Sequence, residues 1–180
     1  MKFNSRILIL PGLGNSGEGH WQTIWEKEHN FTRVNQRDWN TPVCADWIEK
    51  LDQVVMQGTP STTILVGHSL ACTTVAFWAA QYQRVIKGAL LVAPSDTEAN
   101  TYPVGTSGFT PMPTQRLPFP SIVVTSSNDY YVRLERAEEL ARYWGGKFVN
   151  IGPAGHINVA AGFGNWHDGL ALLHQLDQAQ

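Results

Sequence analysis

The chain is short of charge, of cysteine and of long apolar runs, and each shortage excludes something. Lysine and arginine total 13 and aspartate and glutamate 15 in 180 residues, so only 16% of the chain is charged. No basic excess is available to neutralise a phosphate backbone or an anionic lipid surface, and neither nucleic acid nor a membrane is expected as a partner. The two cysteines, Cys44 and Cys72, make neither a disulfide framework nor the C-x-x-C spacing of a metal site. A reducing cytoplasm is the expected setting, with no metal and no other cofactor. The longest apolar run near the start, Ile7 to Leu10, ends at Pro11, too short for a signal-peptide core or a bilayer span. Repeats, low-complexity tracts and charge blocks are missing too. With 43% hydrophobic residues, two domains would each approach the size at which cores become marginal, so residues 1–180 are expected to form one domain.

What is present is an alternation of short apolar runs with helical patterns. RILIL (6–10), TRVNQ (32–36), TTILVG (62–67), KGALLVA (87–93), SIVVTS (121–126) and KFVNIG (147–152) read as strands. Several are apolar on both faces, as parallel strands covered by helices on each side must be. Thr41-Pro42 reads as the N-cap and first-turn proline of a helix carrying Trp47, Leu51, Val54 and Val55 on one face. Residues 70–82 are apolar nearly all round and predict a buried helix; residues 133–144 and about 166–176 show amphipathic spacing. A β-α-β-α series implies a doubly wound α/β fold, a mostly parallel six-stranded sheet in the order 2-1-3-4-5-6 with helices on both faces. The stretch from Pro94 to Pro120 has no assigned element. It is the natural cover for a site at the carboxyl edge of the sheet, with Tyr102, Phe109 and Met112 either turned towards that site or pinning the loop down.

Gly67-His68-Ser69-Leu70-Ala71 lies where an apolar strand turns directly into an apolar helix. This is the context of a nucleophile elbow, G-x-S-x-G with alanine in the last place, in which a strained turn projects the serine hydroxyl. Ser69 could instead merely cap the helix. A serine nucleophile needs a base and the base an orienting acid, which follow in the order Ser, Asp, His in loops after strands. Asp129 follows the strand at 121–126 and His156 the strand at 147–152. Both could be ordinary loop residues, and Asp96 is a reserve acid. Cys72, on the buried helix, reads as a core thiol.

The first strand runs into Gly12-Leu13-Gly14-Asn15-Ser16-Gly17, which matches G-x-G-x-x-G, and Asp38 stands near the end of the second strand as a ribose-binding acid would. Against a dinucleotide site, Glu18, His20 and bulky Trp21 follow the last glycine, and Asp38 lies further on than the usual spacing. Placed beside the elbow, the same loop would supply the Leu13 N–H to an oxyanion hole shared with the Leu70 N–H. Gly12, Gly14, His20 and His68 are the expected substrate-binding residues around it, although His20 also fits a plain helix start.

Taken together, LILPGLGNSGEGHWQ, VGHSLA, SSNDYYV and GPAGHIN resemble the small serine hydrolases of the α/β-hydrolase superfamily, relatives of the retinoblastoma-binding serine hydrolase, over nearly the whole chain. The resemblance implies a compact hydrolase without a large cap, with Ser69, Asp129 and His156 as triad. It implies activity on small carboxylic esters, amides or thioesters. The chain has no L-x-C-x-E string, so the resemblance carries no protein partner over. A binding protein that retains the fold without turnover is the alternative.

Overall fold

Six runs of aliphatic residues pair into one sheet in the computed structural model, which describes residues 1–179. The strands are β1 (Arg6–Leu10), β2 (Thr32–Arg33), β3 (Thr63–His68), β4 (Gly88–Val92), β5 (Ser121–Thr125) and β6 (Lys147–Asn150). Their order is β2-β1-β3-β4-β5-β6, and every neighbouring pair is parallel. Five helices cover it: α1 (Trp21–His29), α2 (Cys44–Val55), α3 (Leu70–Tyr82), α4 (Leu134–Trp144) and α5 (His167–Gln178).

Successive side chains on a strand point to opposite faces, and that sorts the strand residues into two apolar layers. Leu8, Leu10, Leu65, Leu91 and Val123 pack with residues of α2, α3 and α4. Ile7, Ile9, Ile64, Val66, Leu90 and Val124 pack with Trp21 and Trp25 of α1 and Leu170, Leu173 and Leu176 of α5. Neither face of the inner strands meets water, which is why β3 and β4 read as continuous apolar runs. Among the described residues no helix is long and apolar enough to cross a membrane.

The strand order reverses between β1 and β3, and Leu10 is the register partner of Gly67. The loop after β1 therefore emerges beside the turn after β3. This is the switch point at which doubly wound sheets build their sites.

Local details differ from the sequence reading. The helix expected from Thr41-Pro42 begins at Cys44, because Thr41 is held in a turn by the Asp38 carboxylate, which accepts from the Thr41 N–H and hydroxyl. The Cys44 N–H donates instead to the Ser107 carbonyl at 2.8 Å. Asp38 is thus spent on its own turn and does not end a strand, since β2 stops at Arg33. The strict strand-helix alternation also breaks once, for no helix joins β4 to β5. Phe109, Met112, Leu117 and Phe119 of that connection are buried and fill the core layer a helix would have covered. Phe109 and Met112 therefore pin the segment, whereas Tyr102 is left to face the site.

Candidate active site

β3 ends at His68 and α3 starts at Leu70, so a single residue must reverse the chain. Ser69 does it at φ 60 and ψ −125, a region that costs a non-glycine residue conformational energy. Backbone bonds hold it there: the Ser69 N–H donates to the Val92 carbonyl and the Cys72 N–H to the Ser69 carbonyl, both at 3.0 Å. Strand and helix come close enough that a Cβ at Gly67 would lie 3.4 Å from the Ala71 backbone. The methyl of Ala71 is accommodated in the buried layer between sheet and helices.

The strained turn aims the Ser69 hydroxyl at His156, whose Nε2 lies 2.9 Å from Ser69 Oγ. The other ring nitrogen, Nδ1, donates to the Asp129 carboxylate at 2.8 and 2.9 Å. The Asp129 side chain is fully buried and also accepts from the Tyr131 N–H at 2.9 Å. With Nδ1 protonated, Nε2 offers a lone pair to the serine. Asp96 is engaged elsewhere, with Arg136 Nε at 3.6 Å and the Glu98 N–H at 3.2 Å.

The two loops that bring acid and histidine together are tied to each other. Ser126 Oγ accepts from the Ala154 N–H at 2.9 Å, Asn128 Oδ1 from the Gly155 N–H at 2.7 Å, and the Gly152 carbonyl from the Ser127 N–H at 2.9 Å. The sequence reads Ser126 as the end of a strand and Asn128 as part of a turn; only the partner loop reveals their use. Sequence reasoning also missed Ser95, a buried residue whose Oγ lies 2.9 Å from Ser69 Oγ. Since the Ser69 hydroxyl donates to His156, Ser95 donates to Ser69. Its one sequence signal is its position just after β4 at the carboxyl edge.

On the opposite side of Ser69 the glycine loop makes a close approach. A Cβ at Gly12 would sit 2.8 Å from the His68 carbonyl oxygen, 2.8 Å from Ser69 Cβ and 3.1 Å from the Leu70 nitrogen. Leu70 opens α3, so its N–H has no carbonyl one turn back, and Leu13 lines the same cavity as Ser69. Gly14 does not reach that cavity: it turns the loop at φ 76 and its N–H donates to the Trp39 carbonyl at 2.8 Å.

The model of the serine hydrolase family matches residues 7–175. The chain belongs to the serine hydrolase family. A YdeN-like hydrolase from Pectobacterium atrosepticum is 30% identical, with a TM-score of 0.83 over 96% of this chain and 90% of the other. The ydeN product of Bacillus subtilis is 18% identical, with a TM-score of 0.82 over 98% and 100% of the two chains. A monoacylglycerol lipase from Paleococcus ferrophilus shares the fold at 12% identity and a TM-score of 0.69, over 98% and 96%. No match was found among curated proteins. These neighbours share the doubly wound α/β fold of the serine hydrolase.

The cavity over Ser69 in this serine hydrolase encloses about 180 Å³. Besides the glycine loop, its walls are His20, His68, Ser95, Tyr102, Tyr131 and Asn158. Burial, with Arg33 and His156 nearby, pushes the His20 imidazole down to about 4. Burial, His156 and His20 likewise hold His68 well below the usual histidine range. Both rings are held neutral at pH 7, and no lysine, arginine, aspartate or glutamate lines the cavity. The Gln22 N–H donates to His20 Nδ1, capping α1. The His68 Nε2–H donates to the His156 carbonyl at 2.9 Å, so its polar edge serves the protein although its ring lines the cavity. Burial pushes the Cys44 thiol up to about 12 and the Cys72 thiol higher still; both are free, inert core groups.

Proposed function

We propose that this serine hydrolase is a carboxylesterase-type enzyme that cleaves small, uncharged esters by acyl transfer. The observation that carries the reading is the continuous array from Ser69 Oγ through both nitrogens of His156 to Asp129, each step at 2.8–2.9 Å. Ser69 attacks the carbonyl carbon as His156 Nε2 takes its proton, and the same nitrogen returns that proton to the leaving alkoxide. Asp129 keeps Nδ1 protonated and stabilises the imidazolium that forms. The N–H groups of Leu13 and Leu70 receive the oxyanion, for which the N-terminus of α3 is favourable. Water then repeats the sequence on the acyl-enzyme.

Size and polarity support the substrate class. The enclosed volume of about 180 Å³ is below the range of about 300–1,000 Å³ of typical ligand pockets, and methylenes that project beyond it stay in water and add nothing to transition-state binding. Amides and thioesters are chemically open to the same machinery. The free, buried cysteines suit action in a reducing cytoplasm, and all five helices pack on the one sheet, which supports a single catalytic domain.

The test is labelling of the purified protein with a fluorophosphonate probe, alongside a chain-length series of p-nitrophenyl esters. Labelling and turnover are expected in the wild type and absent in Ser69→Ala, a loss on the order of a million-fold. Esters of about two to six acyl carbons are expected to be the best substrates. A folded wild-type protein that neither labels nor turns over overturns the enzyme reading in favour of a binding protein. Efficiency rising steadily through long acyl chains overturns the small-substrate reading.

A further inference from the structure

The loop from β6 to α5 carries His156 outside any helix or strand, yet four consecutive residues in it each hold a backbone bond to another element. The N–H groups of Ala154 and Gly155 donate to Ser126 and Asn128 in the acid loop. The next two carbonyls are held from the other side of the site. The His68 Nε2–H donates to the His156 carbonyl at 2.9 Å, and the Trp21 Nε1–H donates to the Ile157 carbonyl, also at 2.9 Å and fully buried.

We propose that His68 and Trp21 are positioning residues, two ring N–H donors that clamp consecutive carbonyls of the histidine loop and set where His156 Nε2 meets Ser69. The inference rests on the reading of His156 as general base. Three further observations support it. Ile157 is fully buried at φ 48; a β-branched residue in the left-handed region is strained and stays there only when its surroundings dictate it. A carbonyl can only accept, so each clamp fixes its donor without ambiguity, and His68 is thereby held as the neutral tautomer protonated on Nε2. Burial disfavours the cation of His68 beside His156, which keeps the clamp from competing with the imidazolium formed during the reaction.

The arrangement gives a use to residues the triad chemistry leaves idle. His68 precedes Ser69 in the chain, so nucleophile and clamp share one strand end and move together. Trp21 opens α1 and is packed edge to face or tilted against Trp25, Trp166 and His68, which fixes its N–H. Without the clamps the hydrogen bonds from residues 154–157 to other segments, apart from that of His156 to Ser69, would run only to the acid loop. A misplacement of about 1 Å is enough to cost on the order of a hundredfold in rate.

The experiment compares His68→Phe, His68→Gln and Trp21→Phe with the wild type, using steady-state hydrolysis of p-nitrophenyl acetate and proton NMR of the imidazole hydrogen between His156 and Asp129. Phenylalanine keeps a ring and loses the N–H; glutamine restores a donor at similar reach. Both Phe variants are expected to lose about 10- to 100-fold in kcat with KM within about threefold, and to broaden the low-field imidazole resonance. His68→Gln is expected to recover kcat to within about fivefold and to restore the resonance. Wild-type kcat in folded His68→Phe, a Gln variant as impaired as Phe, or a loss confined to KM overturns the clamp. Should Trp21→Phe fail to fold, the His68 pair decides alone. Ser69→Ala and His156→Ala, measured in parallel, separate the two levels: turnover surviving in them refutes the triad reading, whereas turnover lost in them and intact in His68→Phe refutes only the clamp.

Discussion

Replacing Gly12 with alanine tests the geometry around the oxyanion most sharply, because the new methyl meets backbone and not a side chain that can swing away. The added carbon would lie 2.8 Å from the His68 carbonyl oxygen and from Ser69 Cβ, and 3.1 Å from the Leu70 nitrogen. Reaching ordinary contact near 3.4 Å requires the β1 loop and the elbow to part by about half an ångström. Such overpacking costs about 1–3 kcal/mol of stability, which in a domain of this size lowers Tm by about 2–12 °C. The larger effect falls on catalysis, since parting the loops moves the Leu13 and Leu70 N–H groups away from the oxyanion proposed as their common target. Loss of one oxyanion donor costs about 100- to 1,000-fold in kcat, and that is the expected fall for Gly12→Ala in p-nitrophenyl acetate hydrolysis, with the circular dichroism spectrum unchanged. Gly17→Ala in the same loop is the control. No heavy atom lies within 4 Å of a Cβ there, so its activity should stay within about twofold of wild type. If folded Gly12→Ala retains wild-type kcat/KM, the N–H groups on the two sides of that contact are not the oxyanion hole.

Other outcomes follow from the same geometry. Asp129→Asn should stay folded and lose about four orders of magnitude in kcat, because an amide favours the wrong imidazole tautomer; Asp96→Asn, whose carboxylate faces Arg136, should keep most of its activity, and the reverse result would move the acid. Ser95→Ala removes the donor to Ser69 Oγ and should lower kcat about three- to tenfold with KM little changed; an unchanged kcat would mean that the contact is incidental. In urea titrations, stability should be full above about pH 6.5 and fall as pH drops towards 4. The folded protein holds the His20 pKa at about 4, so the unfolded chain binds the proton first, and His20 accounts for up to about 3 kcal/mol of the fall. His20→Asn, which keeps a capping acceptor for the Gln22 N–H, should reduce that dependence and leave the part due to His68, which burial also holds low; an unaltered pH profile would show that His20 is not a source of it.

Patterns local in the chain determined much of this protein before any contact was known. Strand runs such as Ile7 to Leu10 and Ile64 to Val66, apolar on both faces, imply a sheet covered on both sides, and α3, apolar all round, implies a buried helix. With short right-handed crossovers these leave few strand orders, and the order puts the ends of β1, β3, β5 and β6 at one edge. The meeting of Ser69, Asp129 and His156 was legible for that reason: each stands just past a strand, in the order Ser, Asp, His that goes with a nucleophile elbow. Tertiary structure decided what depends on pairs of distant segments. A string cannot show that Ser126 and Asn128 accept from Ala154 and Gly155, that Ser95 touches Ser69, or that the elbow histidine bonds the His156 backbone. Nor can it show that Pro94 to Pro120 replaces a helix by burying Phe109, Met112, Leu117 and Phe119, since proline and glycine content reports only what the segment cannot form. The start of α2 was misplaced for a related reason: Asp38 and Ser107, one before the helix and one far beyond it, compete for the backbone at Thr41 and Cys44. Periodicity is written in each element's own residues, whereas hydrogen-bond partners are chosen only when the fold brings the loops together.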